Sequence, residues 1–263
     1  MRIAFWNMNG NVGKSTLVNM MMKPRLPKNA EVIYVESDNT VPGKIAGCKE
    51  LNATKEDWTE LVNHLITNIF DHDIVVDIGS TDSKKVKALF VDFEGSLDEF
   101  DMIIVPHSPE AKEEDTAITL RFLHGLGVPA NKITLMFSMV PSDTKLAKTF
   151  SALFADLEKE PVDNKPRICN IAIDAVISDN ALFNRIKGSE HTIESLLADE
   201  TNWNDEIQKL REIEDKQKAK ELMTYFAWMK ITTMLAKKMN ADFDSVFKIL
   251  MPPSYHQWDT KNV

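Results

Sequence analysis

Cysteine is scarce in this chain: Cys48 and Cys169 are the only two, and neither belongs to a C-x-x-C pair. This scarcity argues against a disulfide framework and against paired-cysteine sites for zinc or iron–sulfur clusters. The six histidines are scattered, and none stands in an H-E-x-x-H motif. The histidine pattern therefore predicts surface or packing roles and no metal centre.

Long apolar runs are also missing from the sequence. No stretch approaches the roughly 20 consecutive apolar residues that a membrane-spanning helix needs. The opening segment MRIAFWNMNG turns polar at Asn7, which is too early for the apolar core of a signal peptide. These absences predict a cytoplasmic protein.

An excess of positive charge is absent as well. The net charge is −9 and the sequence pI is about 5.2. Bulk attraction to nucleic acid is therefore excluded, and any link to DNA is expected to be local, switched or made through another protein. A chain of 263 residues with 43% hydrophobic and 27% charged residues suits one large globular domain, with room for an appendage.

Short apolar segments alternate with helical ones in the first two-thirds of the chain. Continuous apolar runs, as opposed to alternating ones, are typical of strands that helices cover on both faces. The pattern predicts an α/β fold with a doubly wound, mostly parallel sheet and helices on both faces. The predicted strands are 1–7, 31–36, 73–78, 101–105 and 132–137, with 168–173 as a sixth candidate, and the helical segments are 16–22, 58–70 and 111–126.

The character of the chain changes after about residue 200. Residues 203–238 are charge-rich and helical in composition, and 222–235 within them, LMTYFAWMKITTML, are strongly apolar and aromatic. This stretch has three interpretations: packing against the fold, a protein or dimer interface, or a membrane-binding helix. Its internal position and its few basic residues argue against the membrane. We predict a main domain over 1–200, C-terminal helices over 201–250 and a tail over 251–263.

The segment NGNVGKST has the form of a phosphate-binding loop. It follows the first predicted strand and precedes a helix, so that backbone N–H groups and the helix N-terminus face an anion. Lys14 would reach the β- and γ-phosphates of a nucleotide, and the Ser15 hydroxyl would bind Mg²⁺. The alternative is a glycine-rich strand-to-helix turn with a solvated lysine. The predicted nucleotide-binding residues are Asn9, Gly10, Asn11, Val12, Gly13, Lys14, Ser15 and Thr16.

Three further segments end predicted strands at the edge where ligands of α/β sheets bind. YVESDNT carries Asp38 just beyond the second strand, DHDIVVDIGS carries Asp77, and FDMIIVPHSPE carries Pro106 and Pro109. An aspartate in the position of Asp77 typically holds magnesium or its water ligands. Its alternative interpretation is a turn residue at the end of a strand.

Together these segments resemble the ParA/MinD family of P-loop ATPases, which has the SIMIBI-type fold. That family has a variant loop, roughly K-G-G-x-G-K-[ST]-[ST], and a second strand that ends in D-x-D-P-Q or similar. An aspartate-terminated strand and a D-x-(I/V)₃-P-x-x-P-E segment follow. NGNVGKST, VESDNT, IVVDIGS and DMIIVPHSPE follow this order over about residues 1–180. The variant loop does not use the first glycine of the strict pattern, so Met8 in its place is no defect. The loop, KPRLP at 23–27 and the strand ending in VES also resemble plasmid-stability StbB proteins.

The resemblance implies a nucleotide-switched ATPase for plasmid partition, stability or positioning. ATP and Mg²⁺ would be its cofactors, ATP would close a homodimer, and a co-encoded DNA-binding adaptor would connect it to plasmid DNA. Lys14 and Asp38 would be catalytic, with Asp38 positioning the attacking water or the metal shell. Ser15, Asp38 and Asp77 would surround the magnesium ion.

The sequence departs from the family at Asn9, where the signature lysine that reaches the partner's nucleotide would stand. A neutral amide cannot offset the charge of a phosphoryl-transfer transition state, and such a cation is worth roughly 10³–10⁵ in rate in related systems. A slow Mg-dependent ATPase is therefore expected, and a scaffold that binds ATP without hydrolysing it is an alternative. A second alternative is a metabolic enzyme of the same fold, such as a dethiobiotin-synthetase-like ligase, although the sequence offers no substrate pocket for one.

We expect the nucleotide base to be adenine, although neither base has its usual recognition residue in this sequence. For adenine, the segment FSMVP at 137–141 lacks the asparagine with which relatives contact the base. For guanine, the N-K-x-D signature is also absent, because Asn131-Lys132-Ile133-Thr134 lacks its aspartate and precedes a strand.

Overall fold

The computed structural model describes residues 1–36, 48–68, 71–81, 83–158, 168–186 and 189–256. A seven-stranded sheet with the order β3-β2-β4-β1-β5-β6-β7 forms the centre of this described part. Every pair of neighbouring strands is parallel. The strands are β1 (Arg2–Phe5), β2 (Glu31–Val35), β3 (Lys49–Leu51), β4 (Ile74–Ile78), β5 (Met102–His107), β6 (Ile133–Val140) and β7 (Asn170–Ser178).

Helices cover the sheet on both sides. The α-helices in the described ranges are α1 (Lys14–Thr16), α2 (Lys55–Thr67), α3 (Ser83–Asp92), α4 (Glu113–Gly125), α5 (Leu146–Thr149), α6 (Ser151–Glu158), α7 (Leu182–Ile186), α8 (Ile193–Leu197), α9 (Trp203–Lys209) and α10 (Lys216–Leu250). Helix α1 continues directly into a π-helical segment, Leu17–Met22, and a 3₁₀ turn, Lys23–Arg25.

The two faces of the sheet are buried in two separate apolar cores. Along β1, Ala4 belongs to the core under α2, α3 and α4, whereas Ile3 and Phe5 belong to the core under the π-helical segment and α10. Side chains point alternately to opposite faces of a strand, so a strand buried on both faces needs a continuous apolar run. The predicted doubly wound parallel sheet is thereby confirmed.

Several element boundaries differ from the sequence-based prediction. The helix predicted at 58–70 begins earlier, at Lys55, because the Thr54 hydroxyl caps it by accepting a bond from the N–H of Asp57. Residues 69 and 70 lie outside the described residues. Strand β3 was not predicted, since it is only three residues long and two of them are charged. The sixth predicted strand exists as β7, but it begins at Asn170 and extends to Ser178.

The C-terminal region is dominated by α10, which packs against β7, α7, α8 and the π-helical segment. The Asp215 carboxylate caps its first turn, and the helix ends at Leu250, just before Pro252 and Pro253. One face of the apolar stretch 222–235 is buried in this packing, and the other exposes large apolar side chains. No helix within the described ranges is both long and apolar enough to cross a membrane. The exposed large apolar side chains of the stretch are Met223, Tyr225, Ile231 and Met234.

Candidate phosphate-binding site

The predicted loop lies at the carboxyl edge of the sheet, where the parallel strands end. Strand β1 is flanked by β4 and β5. Strands β2 to β4 lie on one side of it and β5 to β7 on the other, so the order of the strands reverses at β1. This reversal point is where open α/β sheets bind ligands. Gly13 has a φ of 77°, and its carbonyl accepts the first helical bond, from the N–H of Leu17 at 2.9 Å. The predicted strand–loop–helix arrangement is therefore present.

Lys14 is buried inside this loop, with 7% of its surface exposed. Its ammonium group donates hydrogen bonds to the carbonyl oxygens of Asn9 at 2.9 Å and Asn7 at 3.3 Å. Burial lowers the pKa of Lys14 to about 8, and the negative charge of Asp77 partly opposes this change. The loop thus encloses a cation whose present acceptors are neutral carbonyls.

Asp77, a predicted magnesium-side residue, lies in β4 next to β1. It stands in register with Phe5 of β1 and Tyr34 of β2, and its side chain is fully buried. The structure thus brings Asp77 into the electrostatic environment of Lys14. Ser15 is half-buried in α1 beside Lys14. Asp38, the remaining predicted catalytic and metal residue, lies outside the described residues.

The turn after β4 lies against the end of β2 and beside the loop, and Gly79 makes the close contact with the end of β2 possible. A Cβ atom on Gly79 would lie 1.9 Å from the carbonyl oxygen of Glu36. The N–H of Gly79 also donates to the carbonyl of Val35 at 2.7 Å. The following residue, Ser80, has its hydroxyl oxygen 3.4 Å from where a Cβ on Gly10 would stand. The sequence analysis did not predict the close contact at Gly79 or the position of Ser80 beside Gly10. A single glycine after a strand has many explanations, and the serine that follows it adds no further signal.

The beginning of the loop is attached to β5 and α4 by the buried side chain of Asn7. Its amide nitrogen donates to the carbonyl of Pro106 at 2.8 Å and to Oγ1 of Thr116 at 3.0 Å. Its Oδ1 accepts a bond from the N–H of Asn9 at 2.9 Å. These bonds position the two loop carbonyls that Lys14 contacts.

Asn9, where the sequence resemblance led us to expect a lysine, bonds to its own chain. Its amide nitrogen donates to the carbonyl of Lys112 at 3.1 Å and to Oγ1 of Thr116 at 3.2 Å. The side chain is therefore directed toward the start of α4. Asn9 is thus a neutral amide whose bonds are made within the chain.

Thr116 connects these groups to a buried histidine. Its hydroxyl lies 2.9 Å from Nδ1 of His107 in β5. A hydroxyl accepts two hydrogen bonds and donates one. Since Asn7 and Asn9 both donate to it, Thr116 donates to Nδ1 of His107. Burial lowers the pKa of His107 to about 4, so the imidazole is neutral, as this bond requires.

The far side of the loop is attached to β6. The hydroxyl of Ser138 donates to the carbonyl of Val12 at 2.8 Å. Asn131, by contrast, lies in the turn before β6, at the opposite edge of the sheet, as its sequence position indicated. Sequence reasoning missed Asn7, His107, Thr116 and Ser138, because polar residues within strands and helices carry no local signal of a long-range bond.

No protein-family model matches this chain, and no curated protein matches it by sequence. Solved structures do match it. McdA from Cyanothece, as an ATP complex, is 10% identical with a TM-score of 0.50, and the match covers 95% of each chain. The cell division protein MinD from Aquifex aeolicus is 13% identical with a TM-score of 0.46, and the match covers 73% of this chain and 88% of MinD.

At these identities the similarity establishes the fold alone. The parallel sheet, the loop after β1 and the likeness to McdA define a P-loop NTPase fold, in which α10 forms a long C-terminal helix.

Proposed function

We propose that this protein is a ParA/MinD-like, nucleotide-switched ATPase that binds Mg-ATP in the loop 9–16. The observation that carries the proposal is the buried ammonium of Lys14, which lies inside the loop and close to the carboxylate of Asp77. Burying a charge is unfavourable unless the charge is paired or has a use. An incoming polyphosphate would supply anionic acceptors in place of the two carbonyls that Lys14 now contacts.

The backbone of the loop supports phosphate binding as well. Asn11 has a φ of 55° and Gly13 a φ of 77°, so the loop contains two left-handed residues within three positions. Such conformations direct neighbouring N–H groups toward one concave side, where they bind anions. The helical segment that begins at Lys14 adds the positive end of its dipole to the same region.

The oxygen donors near Lys14 suit a hard divalent cation. We assign the Ser15 hydroxyl and the Asp77 carboxylate, together with Asp38, to the surroundings of Mg²⁺. When bound, Mg²⁺ supplies positive charge that offsets the charge of the phosphates. We also propose that Asp38 orients the attacking water, as the family resemblance implies.

Hydrolysis is proposed to be slow in the isolated protein. Asn9 carries no charge, and its amide is occupied by bonds to Lys112 and Thr116 within the same chain. The cation that would stabilise the transition state across a dimer is therefore missing at this position. A partner protein or another basic residue would have to supply it, and without either the protein would be an ATP-binding scaffold.

We extend the proposal to a cytoplasmic, plasmid-associated role as a nucleotide-dependent homodimer. The net charge of −9 favours indirect contact with plasmid DNA through a co-encoded adaptor. The division into a P-loop ATPase domain over 1–200, C-terminal helices over 201–250 and a tail remains part of this proposal.

The alternative of a metabolic enzyme, which would need a substrate pocket beside the loop, gains no support there. A cavity of about 620 Å³ lies at the opposite edge of the sheet, next to Asn131 and Cys169.

A nucleotide-binding assay tests the central claim. Wild-type protein is expected to bind Mg-ATP with a 1:1 stoichiometry and to prefer it to Mg-GTP. Lys14→Ala should weaken binding at least about 100-fold, since it removes a charge-assisted contact, whereas Lys209→Ala, at an exposed and distant lysine, should bind normally. Failure of the wild-type protein to bind either nucleotide would overturn the proposal.

A turnover assay separates the slow ATPase from the scaffold. ATP hydrolysis is measured for the protein alone and with its co-encoded adaptor and DNA, and the molecular mass is measured by light scattering in each state. Stimulation by the adaptor, together with an ATP-dependent dimer, is expected for the switch. A dimer that binds ATP without turnover under every condition would identify the scaffold.

A further inference from the structure

Two histidines and a glutamate meet at the amino edge of the sheet, far from the phosphate-binding loop. Glu31 is the first residue of β2, His64 lies near the end of α2, and His72 lies in the segment that leads into β4. Strands β2 and β4 are paired in parallel, with Glu31 opposite Ile74, so both begin at this edge. The loop 9–16 lies at the other edge, beyond the carboxyl end of β1.

The three side chains direct their polar atoms toward one point. Oε2 of Glu31 lies 2.6 Å from Nε2 of His64 and 3.1 Å from Nε2 of His72. One potential ligand atom from each residue lies within 4.8 Å of the others. The exposed fractions of the side chains are 28% for Glu31, 24% for His64 and 20% for His72. The cluster is therefore partly buried, and a solvated ion can still reach it.

We infer that Glu31, His64 and His72 form a binding site for a divalent transition-metal ion, and that Zn²⁺ is the ion it fits. Two imidazole nitrogens and one carboxylate oxygen are a donor set typical of zinc sites with three protein ligands and an open position for water. Mg²⁺ and Ca²⁺ prefer oxygen ligands throughout. The site is thus chemically distinct from the proposed Mg-ATP site and does not depend on that proposal.

The spacing between Glu31 and each imidazole is close to what zinc requires, and the two imidazole nitrogens, which lie within 4.8 Å of each other, would move closer together. Ligand atoms around a tetrahedral zinc ion with bonds of about 2.1 Å lie roughly 3.4 Å apart. Glu31 would have to withdraw from each imidazole by less than about 1 Å, a movement within the range of a side-chain rotation. The alternative is a purely structural trio, in which both imidazoles donate hydrogen bonds to one carboxylate oxygen.

A neighbouring amide sets the tautomer of one of the ligands. The Asn68 amide nitrogen donates to Nδ1 of His64 at 3.1 Å, so the ring proton is on Nε2, the nitrogen that faces Glu31. Zinc at Nε2 would displace this proton, and Nδ1 would then carry a proton and donate it to an acceptor in place of the amide nitrogen, as metal-binding histidines usually do. Bound zinc would connect the start of β2, the end of α2 and the segment before β4.

Metal titration tests the inference on the full chain. The protein is treated with a chelator, dialysed and titrated with ZnCl₂ in a calorimeter without nucleotide, and CoCl₂ serves as a spectroscopic probe. We expect one Zn²⁺ per chain and the intense visible absorption of four-coordinate Co²⁺. His64→Gln and His72→Gln should each weaken zinc binding at least about tenfold. His191→Gln, which alters a histidine packed against Trp228, is the matched control and should bind zinc normally.

Two further measurements separate metal binding from folding and from nucleotide binding. Zinc should raise the melting temperature of the wild type and not that of the His64→Gln/His72→Gln double variant. Circular dichroism of the double variant should match the wild type. If the wild type binds no zinc at 1:1 stoichiometry, or if the double variant binds it equally well, the three residues are a hydrogen-bonded trio and the inference is wrong. Neither result would bear on Mg-ATP binding.

Discussion

The ammonium group of Lys14 lies 2.9 Å from the carbonyl oxygen of Asn9, within the turn that both residues help to form. The side chain is buried, and burial lowers its pKa to about 8 although the charge of Asp77 acts in the opposite direction. The folded state therefore keeps a charged group in a place where the charge is unfavourable.

Replacing Lys14 by methionine should stabilise the protein in the absence of nucleotide. The pKa of Lys14 is about 8 in the folded protein and 10.5 in the reference state, so folding stability rises with pH between these values. Below about pH 8 the buried charge of Lys14 lowers the free energy of unfolding by its full amount. This amount is on the order of 3 kcal/mol, because each unit of pKa change corresponds to about 1.4 kcal/mol. Urea denaturation at neutral pH should show Lys14→Met to be more stable than the wild type by up to this amount.

Lys209→Met, at an exposed lysine, is the control for this measurement and should change stability by less than about 0.5 kcal/mol. Mg-ATP should raise the melting temperature of the control but not that of Lys14→Met. A Lys14→Met variant less stable than the wild type would contradict the prediction.

Nucleotide affinity should depend on the protonation of Lys14. Only the ammonium form attracts phosphate, and a bound phosphate would raise the pKa of Lys14 above the value of about 8 in the free protein. Affinity should be constant below about pH 8 and should then fall by up to about tenfold per pH unit. Titration with a fluorescent ATP analogue across this range measures the effect. The weak residual binding of Lys14→Met should show no such decline, and a parallel decline in that variant would contradict the explanation.

The hydroxyl of Thr116 should be needed to shape the loop. Thr116→Val preserves the size of the side chain but leaves the amides of Asn7 and Asn9 and Nδ1 of His107 without this partner. Unsatisfied buried polar groups cost about 1–3 kcal/mol each, so we expect a loss of about 3 kcal/mol in unfolding free energy together with weaker ATP binding. Thr116→Ser keeps the hydroxyl and should lose less than about 1 kcal/mol. Equal losses in the two variants would show that the methyl group matters and the hydroxyl does not.

Gly79 should tolerate no side chain. A Cβ at this position would lie 1.9 Å from the carbonyl oxygen of Glu36, and both groups belong to the backbone. Gly79→Ala should therefore lower the unfolding free energy by at least about 3 kcal/mol or prevent folding. Gly125→Ala, where a Cβ meets nothing within 4 Å, should be neutral or stabilising because α4 favours alanine. Denaturant unfolding of both variants tests the contrast, and similar stabilities would contradict it.

Much of the fold was predictable because the signals are local. The strands expected at 31–36 and 73–78 match β2 and β4 to within one residue, since continuous apolar runs predict strands buried on both faces. The strand–loop–helix arrangement around 9–16 was predictable for the same reason, as its residues are consecutive. Strand β3 was not, because three residues with two charges have no recognisable period.

The supporting residues of the site were not predictable. Asn7 and Thr116 are 109 positions apart, and each looks like an ordinary polar residue in its own segment. His64 and His72 were predicted to be surface or packing residues. They meet Glu31 because α2, which carries His64, ends at the amino edge of the sheet, and the segment with His72 follows there. Asp38, which the motif singled out, is not among the described residues, and its role remains a prediction.

The sequence by itself determined the class of fold and the position of the glycine-containing loop after β1, because hydrophobic periodicity and turn-forming glycines act over a few neighbouring residues. Only the tertiary structure decided the lowered pKa of Lys14, the inward bonds of Asn9 and the meeting of Glu31 with two histidines. These properties depend on burial and on contacts between segments far apart in the chain. Such contacts leave no pattern in any one segment.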